Sequence, residues 1–264
     1  LADLRSWNPK PYRKDNVDLL AAGLPCPPFS AAGEQLGAGD ERNLFPQAIE
    51  IASAISPKAI MIENVRGILD RKFVEFRNEF SKMVEELGFL GQWQLINSSD
   101  FGVPQLRPRA IYVAFKPAYA TFFRWPMPSG KPAPTVGEAL GKMMGSRGWK
   151  GARDWAAGAD SIAPTLVGGS KKHGGPDLGP TRAKRQWREL GVNAHTIANE
   201  PPSIDHEGVP RLTVEMAGVI QGFPSSWRFF GKKTNAYRQV GNAFPPPVAK
   251  AVGKQIIKAL NNEY

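Results

Sequence analysis

The chain has 264 residues, of which 42% are hydrophobic and 22% charged, a composition typical of a globular protein and not of a disordered one. Its 34 Lys and Arg residues exceed its 24 Asp and Glu residues, so the formal net charge is +10. This charge indicates an anionic partner such as nucleic acid or simply a basic soluble protein. A single cysteine excludes a disulfide scaffold, and scattered histidines exclude a zinc finger. No apolar run is long enough to span a membrane. Together these features favour a cytoplasmic protein.

Two strands joined by a helix are predicted in the first part of the chain. Short apolar runs at 17–22 and 59–63 have the length of buried parallel strands. Between them, apolar residues at helical spacing over 45–55 predict a helix, and Pro57 ends it.

The same alternation continues further along the chain. Apolar residues spaced over 73–87 predict a second helix that ends at Gly88, and strands are expected at 92–97 and 110–115. An order of strand, helix, strand and helix predicts an α/β fold.

A basic, irregular segment begins at Pro117. Residues 142–190 hold ten Lys and Arg against four Asp and Glu, together with Trp149, Trp155 and Trp187. The segment is either a solvated loop region or a surface for an anionic partner. Its texture predicts an inserted domain.

Regular structure returns near the end of the chain. Thr213 can cap a short helix with Glu215 in its first turn, and a last helix begins near Pro246 with one apolar face.

Cys26 and Glu63 are the candidate reactive residues. Cys26 follows the strand at 17–22 within a proline-rich turn, where ligands of doubly wound sheets bind, so it is a candidate nucleophile or a small buried apolar residue. Glu63 ends the strand at 59–63 and is expected at the same edge of the sheet, as a site carboxylate or a structural one.

Several short motifs follow one another along the chain. They are Pro25-Cys26 with Phe29-Ser30, Glu63-Asn64-Val65, Gln105-Leu-Arg107-Pro-Arg109, Arg211-Leu-Thr213 running to Gln221-Gly-Phe-Pro224, and Gln239-Val-Gly241-Asn242-Ala243. In this order they resemble the motifs of the cytosine-5 DNA methyltransferases, and Thr165-Leu166 is similar to the Thr-Leu pair of that family's target-recognition region. The resemblance extends from start to end and is weakest over 117–209.

The resemblance implies a reaction through a covalent adduct. The Cys26 thiolate would add to C6 of a flipped-out cytosine, since C5 is otherwise a poor nucleophile. Glu63 would hydrogen-bond or protonate N3, with a pKa raised by burial in the closed pocket. Arg109 matches the family's guanidinium beside O2, and Arg107, also a catalytic candidate, is expected to contact the backbone or a phosphate.

The methyl donor implied by the resemblance is S-adenosylmethionine, which leaves as S-adenosylhomocysteine, and no metal is expected. The implied cofactor residues are Asp3, Leu4, Pro25, Asn242 and Ala243. Neither the Phe-x-Gly-x-Gly loop nor the acidic ribose-binding residue of the family precedes Asp3, so we expect the opening of the fold to lie outside this chain, on a partner chain, or to be degenerate. Pro27 stands where many relatives have Gln.

The resemblance also implies a doubly wound, Rossmann-like α/β sheet with a smaller, irregular domain inserted before the C-terminal helix. We expect a catalytic domain over 1–116 and 234–264, incomplete at its N-terminus, and a target-recognition domain over 117–233. The residues expected to contact double-stranded DNA are Gln105, Thr165, Leu166, Lys171, Lys172, Arg182 and Arg185, with Lys184 and Arg188 as further phosphate contacts.

The expected biology is bacterial modification of DNA. A restriction endonuclease acting on the same site is the expected companion, and a monomer is expected unless the enzyme is split. A tRNA-methylating relative and an inactive or split DNA-binding subunit stay open as alternatives; the length of the basic segment 117–209 favours duplex DNA. A cysteine protease is disfavoured, since no histidine lies in a motif that pairs with Cys26.

Overall fold

The computed structural model describes residues 3–25, 29, 43–167 and 176–263. Three candidate site residues lie outside this part: Cys26, Lys171 and Lys172. No helix within the described ranges is long and apolar enough to cross a membrane.

The described elements alternate between strands and helices in the first half and are mainly helical in the second. The strands are β1 (Leu19–Gly23), β2 (Ala59–Val65), β3 (Leu90–Asn97) and β4 (Pro108–Phe115). The helices are α1 (Phe45–Ile55), α2 (Val74–Glu86), α3 (Pro117–Ala120), α4 (Val136–Met144), α5 (Ala152–Gly158), α6 (Thr181–Glu189), α7 (Val214–Ile220), α8 (Lys233–Asn242) and α9 (Pro246–Leu260). The predicted α/β class is confirmed.

The four described strands form one mixed sheet in the order β1-β2-β4-β3. The predicted parallel pairing of the first two strands is confirmed, with Gly23 opposite Glu63, whereas β4 runs antiparallel to β2 with Ile111 opposite Glu63. The expectation that both strands are buried holds for β2 and is wrong for β1, whose residues are half-buried or exposed. The position of β1 at the end of the strand order gives it a sheet neighbour on one side only among the described residues.

The chain divides into two compact units. One contains Leu1–Ile96, Pro108–Pro126 and Ala251–Tyr264, and the other contains Asn97–Arg107 and Met127–Lys250. The division into a catalytic domain (1–116 and 234–264) and a target-recognition domain (117–233) is a functional one and stays a prediction.

The first unit is built around an aromatic core between α1, α2 and the sheet. Phe45 contacts Phe29 and Phe80 edge to face, at centroid distances of 5.7 and 5.0 Å, and Phe80 contacts Tyr112 of β4 at 5.1 Å. Edge-to-face contacts of this kind stabilise the fold beyond the effect of the buried area alone. Through Phe45, Phe80 and Tyr112 they hold α1 and α2 against the sheet.

The second unit contains regular structure that the sequence analysis did not predict. Thr135 caps α4 through a reciprocal pair of hydrogen bonds with Glu138, and α5 follows. Trp155 of α5 and Trp187 of α6 belong to the buried core, so the view of 142–190 as irregular basic surface is wrong for these residues. Helices of seven to nine residues are too short to show a clear apolar period.

Candidate active site

A carboxylate and a guanidinium pair at the end of the central strands. Glu63 of β2 lies opposite Ile111 of β4, and Val65 lies opposite Arg109, so Glu63 and Arg109 are diagonal neighbours on one face of the sheet. Arg109 Nε lies 2.7 Å from Glu63 Oε1, and each side chain is only 9% exposed. The antiparallel register therefore brings together two of the predicted catalytic residues.

The end of β1 lies beside this pair. Gly23 is the parallel partner of Glu63, and a Cβ added at Gly23 would lie 3.6 Å from Glu63 Oε2. The buried Asn64 side chain donates a hydrogen bond to the carbonyl of Leu24 at 3.4 Å, which ties the end of β2 to the chain that leaves β1. That chain continues within two residues to Cys26, which lies outside the described residues.

The ion pair favours the charged form of Glu63. A guanidinium within hydrogen-bonding distance stabilises a carboxylate that is otherwise poorly hydrated. Arg109 is held in addition by a hydrogen bond from Nη1 to the carbonyl of Pro108 at 2.8 Å. Protonation of a substrate by Glu63 would therefore require the carboxylate to exchange Arg109 for a new partner.

Arg107 has different surroundings, although it is only two residues away. Its side chain is 2% exposed. Nη1 donates to the carbonyl of Leu166 at 2.6 Å, and Nη2 donates to the carbonyls of Gly241 and Ala243 at 2.7 and 3.1 Å. These bonds join the segment before β4 to the predicted recognition segment and to the end of α8.

Two buried glutamines extend this network. Gln105 Nε2 donates to the carbonyl of Ile220 at 3.2 Å and to Gln221 Oε1 at 2.8 Å, while its Oε1 accepts from the backbone N–H of Leu166 at 2.8 Å. Gln221 Nε2 donates to the carbonyl of Ala243 at 2.5 Å. We call Gln105, Arg107 and Gln221 the polar hub of the second unit.

Three residues that are predicted to contact DNA lie in or beside the polar hub, and they differ in how exposed they are. Gln105 and Leu166 are buried, so any contact with DNA would require them to be uncovered. Thr165 is half-buried and its hydroxyl donates to the carbonyl of Leu106. Of these three residues, Thr165 is the most accessible to a ligand.

Helix α6 presents the described basic residues of the middle segment. Arg182, Arg185 and Arg188 are exposed and follow one another at three-residue spacing, which places them on one side of the helix. Lys184 instead pairs with Asp177, at 2.8 Å. Three cations of α6 are therefore exposed to solvent.

The implied cofactor residues in the described part are exposed or half-buried. Asp3 is exposed and its carboxylate binds Arg5 at 2.7 Å, which lowers the pKa of Asp3 to about 2, so it is a permanent acceptor near neutral pH. Asn242 is exposed, with an amide available to a carboxylate or amine. The other members are Leu4, Pro25 and Ala243, which are exposed or half-buried. Taken singly, these side chains are of the kinds that can hold a nucleoside thioether. No three metal-binding side chains cluster in the described part of the chain.

The motif that contains Gln221 predicts no role for this residue, and the sequence pattern does not indicate Tyr237. Tyr237 is fully buried in the core of the second unit, and burial, with the Asp177 carboxylate, raises its pKa above its usual range. A polar residue directly after the apolar run of α7 was the available signal for Gln221.

Comparison with solved structures shows the fold to be that of the methyltransferases. The chain resembles the Entamoeba histolytica methyltransferase EhMeth with a TM-score of 0.62 and 15% identity, over 99% of this chain and 82% of that one. It resembles the S. pombe Dnmt2 methyltransferase with a TM-score of 0.59 and 15% identity, over 98% and 84%.

The sequence comparisons identify the family. The model of the C-5 cytosine-specific DNA methylase family matches residues 1–258, and the chain belongs to this family. It is 52% identical over 266 residues to the Type II methyltransferase M.NaeI of Lentzea aerocolonigenes, and 51% identical over 264 residues to the Type II methyltransferase M.NgoMIV of Neisseria gonorrhoeae. These matches cover 100% and 99% of this chain, which spans 64% of the first relative and 83% of the second. The family resemblance inferred from the motifs is confirmed.

Proposed function

We propose that this protein transfers a methyl group from S-adenosylmethionine to C5 of cytosine in duplex DNA, as the modification enzyme of a Type II restriction–modification pair. The observation that carries the proposal is the buried Glu63–Arg109 pair, which lies beside the end of β1 that leads to Cys26, in a chain of this family. The names of the two relatives above support the Type II assignment.

Cys26 and Glu63 divide the activation of the base between them. The Cys26 thiolate forms a bond to C6, and the electron pair displaced from the C5–C6 double bond makes C5 nucleophilic. Negative charge then develops toward N3 and O2, where Glu63 protonates or hydrogen-bonds N3 and the Arg109 guanidinium stabilises O2. Bound S-adenosylmethionine supplies the methyl group. Loss of the C5 proton to a base then expels the thiolate and restores the aromatic ring.

The ion pair keeps the two groups that act on the base next to each other before the base binds. Without a bound base, Glu63 and Arg109 satisfy each other, which avoids an isolated buried charge. The pyrimidine edge at N3 and O2 presents two acceptors. An entering cytosine can therefore bind Arg109 at O2, and it can bind Glu63 at N3 once the released carboxylate has taken up a proton.

The exposed cations of α6 supply the contact with the nucleic acid. Arg182, Arg185 and Arg188 are proposed to bind phosphates, together with Lys171 and Lys172, and Thr165 to contact the recognised site. Phosphate contacts of this number make affinity strongly salt-dependent.

The test is covalent capture combined with methyl transfer. Wild-type protein should transfer tritiated methyl groups to duplex DNA containing the recognised site and should form a denaturation-resistant adduct with the same duplex carrying 5-fluorocytosine. Cys26→Ser should lose both signals and keep its affinity for DNA, since the thiolate forms the bond to C6. Arg124→Ala, which removes an exposed arginine elsewhere in the chain, is the matched control and should retain both.

Three results would contradict this function. Full methyl transfer by Cys26→Ser would remove the thiolate mechanism. Label on RNA and none on DNA would replace the proposed substrate by that of the tRNA-methylating alternative, and DNA binding without transfer or adduct would indicate the inactive or split subunit.

A further inference from the structure

A long stretch of the chain near its end contains no acidic residue. Between Glu215 and Glu263 there is no Asp or Glu. The basic residues of this stretch are Arg228, Lys232, Lys233, Arg238, Lys250, Lys254 and Lys258. A run of charges of one sign attracts a polyanion. None of these residues was among the candidates for DNA binding.

One segment of this stretch also exposes large aromatic side chains. We call Pro224–Lys232 the aromatic–basic loop. Within it, Phe230 is 87% exposed and Trp227 is 53% exposed, and the side chains of Arg228 and Lys232 are exposed as well. Exposed rings interleaved with cations are the combination that surfaces for single-stranded nucleic acid use, because rings stack on bases and cations bind phosphates.

The loop is anchored by its other aromatic residues. The ring of Phe223 contacts the rings of Trp227 and Phe229 at centroid distances of 5.4 and 5.0 Å. Phe229 lies so close to Gly218 of α7 that a Cβ added there would be 2.8 Å from its Cε2 atom. These contacts fix the backbone next to Phe230, so the exposed position of its ring follows from the structure of the loop.

A side chain of α8 also holds the backbone of Phe230. Gln239 Nε2 donates to the carbonyl of Phe230 at 2.6 Å and to that of Asn235 at 3.2 Å, and Gln239 Oε1 accepts from the N–H of Phe230 at 3.3 Å. Both backbone groups of Phe230, the most exposed aromatic residue of the loop, are thus fixed, which reduces the entropy lost when a ligand binds.

We propose that the aromatic–basic loop is a second DNA-contacting surface, in which Arg228 and Lys232 bind backbone phosphates and Phe230 packs against a sugar or an unstacked base. The inference rests on the proposed function, because the nucleic acid is taken to be the substrate DNA. A protein partner is less favoured, since an interface core is depleted of charge and this loop has cations next to both rings.

Variants of matched charge test the contribution of the cations. Arg228→Gln with Lys232→Gln removes two positive charges from the loop, and Lys254→Gln with Lys258→Gln removes two exposed charges from α9. The dissociation constant for duplex DNA is measured by fluorescence anisotropy over a range of salt concentrations. We expect the loop variant to reduce the slope of log affinity against log salt by about 2. The α9 variant should reduce it by less than half as much.

Variants of matched exposure test the ring. Phe230→Ala should weaken DNA binding roughly tenfold. Met127→Ala, which truncates a side chain that is 83% exposed elsewhere in the second unit, should leave the affinity unchanged. Both variants should keep the wild-type melting temperature, since neither side chain is buried.

Three outcomes distinguish failure of this inference from failure of the proposed function. Equal affinity and equal salt slope for the wild type and both loop variants would overturn the inference alone. A wild type that binds no nucleic acid would overturn the proposed function as well. A change of oligomeric state in Phe230→Ala, without a change in DNA affinity, would assign the loop to a protein contact and also overturn the inference.

Discussion

Arg107 and Arg109 are separated by a single proline, and both side chains are buried, but they have opposite kinds of partner. Arg109 pairs with the Glu63 carboxylate at 2.7 Å, whereas Arg107 donates to three backbone carbonyls between 2.6 and 3.1 Å away. A carboxylate is a partner that can titrate and exchange. A set of carbonyls fixes the chain around the charge, so we infer that Arg109 acts in the reaction and that Arg107 acts in folding.

Loss of Arg107 should have the largest effect on stability. Arg107→Met keeps much of the buried volume but removes charge-assisted hydrogen bonds to carbonyls of three separate residues. With roughly 1.5–3 kcal/mol for each of the two shortest bonds, the free energy of unfolding should fall by about 3–6 kcal/mol. Urea unfolding of wild type and variant measures this difference.

An exposed arginine provides the control for that prediction. Arg124 also donates to two carbonyls, those of Thr121 and Phe123, each at 2.8 Å, but its side chain is exposed. Arg124→Met should therefore cost far less than Arg107→Met, because water replaces the lost donor. Equal costs for the two variants would contradict the structural role of the buried guanidinium.

The Glu63–Arg109 pair should show a smaller loss and a strong coupling. Arg109→Met leaves the buried carboxylate without its cation and should lower the free energy of unfolding by about 3 kcal/mol. Adding Glu63→Gln removes the unpaired charge, so the double variant should lose less than the sum of the two single variants, with a coupling of about 1–3 kcal/mol.

The exposed pair of Lys58 and Asp18 is the matched comparison for this cycle. Its atoms lie 2.6 Å apart, which is as close as in the buried pair, but both side chains are exposed. A double-mutant cycle on it should give a much smaller coupling, since water and salt screen the interaction. Additive effects of Glu63→Gln and Arg109→Met would rule out the ion pair as a unit.

The sequence was sufficient for the elements that are periodic and clearly ended. Helices α1 and α2 and the parallel pairing of β1 with β2 followed from apolar spacing and from Pro57 and Gly88. Glu63 is predicted to end its strand, whereas β2 continues for two more residues, to Val65. Helix α4 was not predicted, because its apolar period is weak. Thr135 followed three residues later by Glu138 is nevertheless a capping-box signal that marks the start of a helix.

The partners of the two arginines were beyond the sequence. Arg109 contacts Glu63 only because β4 runs antiparallel to β2. The spacing of apolar residues within a strand does not predict the direction in which the strand pairs. The polar hub joins residues that are 116 positions apart, Gln105 and Gln221, through side-chain amides. Long-range polar contacts of this kind depend on the packing of whole elements, so a motif can identify such residues without revealing whether they fix the chain or react.

Lys116 is a third cation of the same stretch, and its loss should have the smallest effect on the free energy of unfolding. Its Nζ donates to the carbonyl of Leu87 at 2.7 Å, which is the carbonyl that follows α2, and it lies 3.9 Å from the centre of the Phe89 ring. Lys116→Met removes one such bond and one cation–π contact from a partly exposed site, so near neutral pH it should cost about 1 kcal/mol.

The cost of Lys116→Met should also depend on pH, unlike that of Arg107→Met. Burial lowers the pKa of Lys116, so in the alkaline range the folded protein loses this proton before the unfolded chain does. When the unfolded state binds more protons, stability rises with pH, and the wild type gains relative to the variant until both states are neutral. Urea unfolding at neutral and at alkaline pH should therefore show a larger difference between wild type and Lys116→Met at the higher pH. A difference that stays constant or shrinks would mean that the carbonyl and the ring hold the charged lysine more tightly than burial disfavours it.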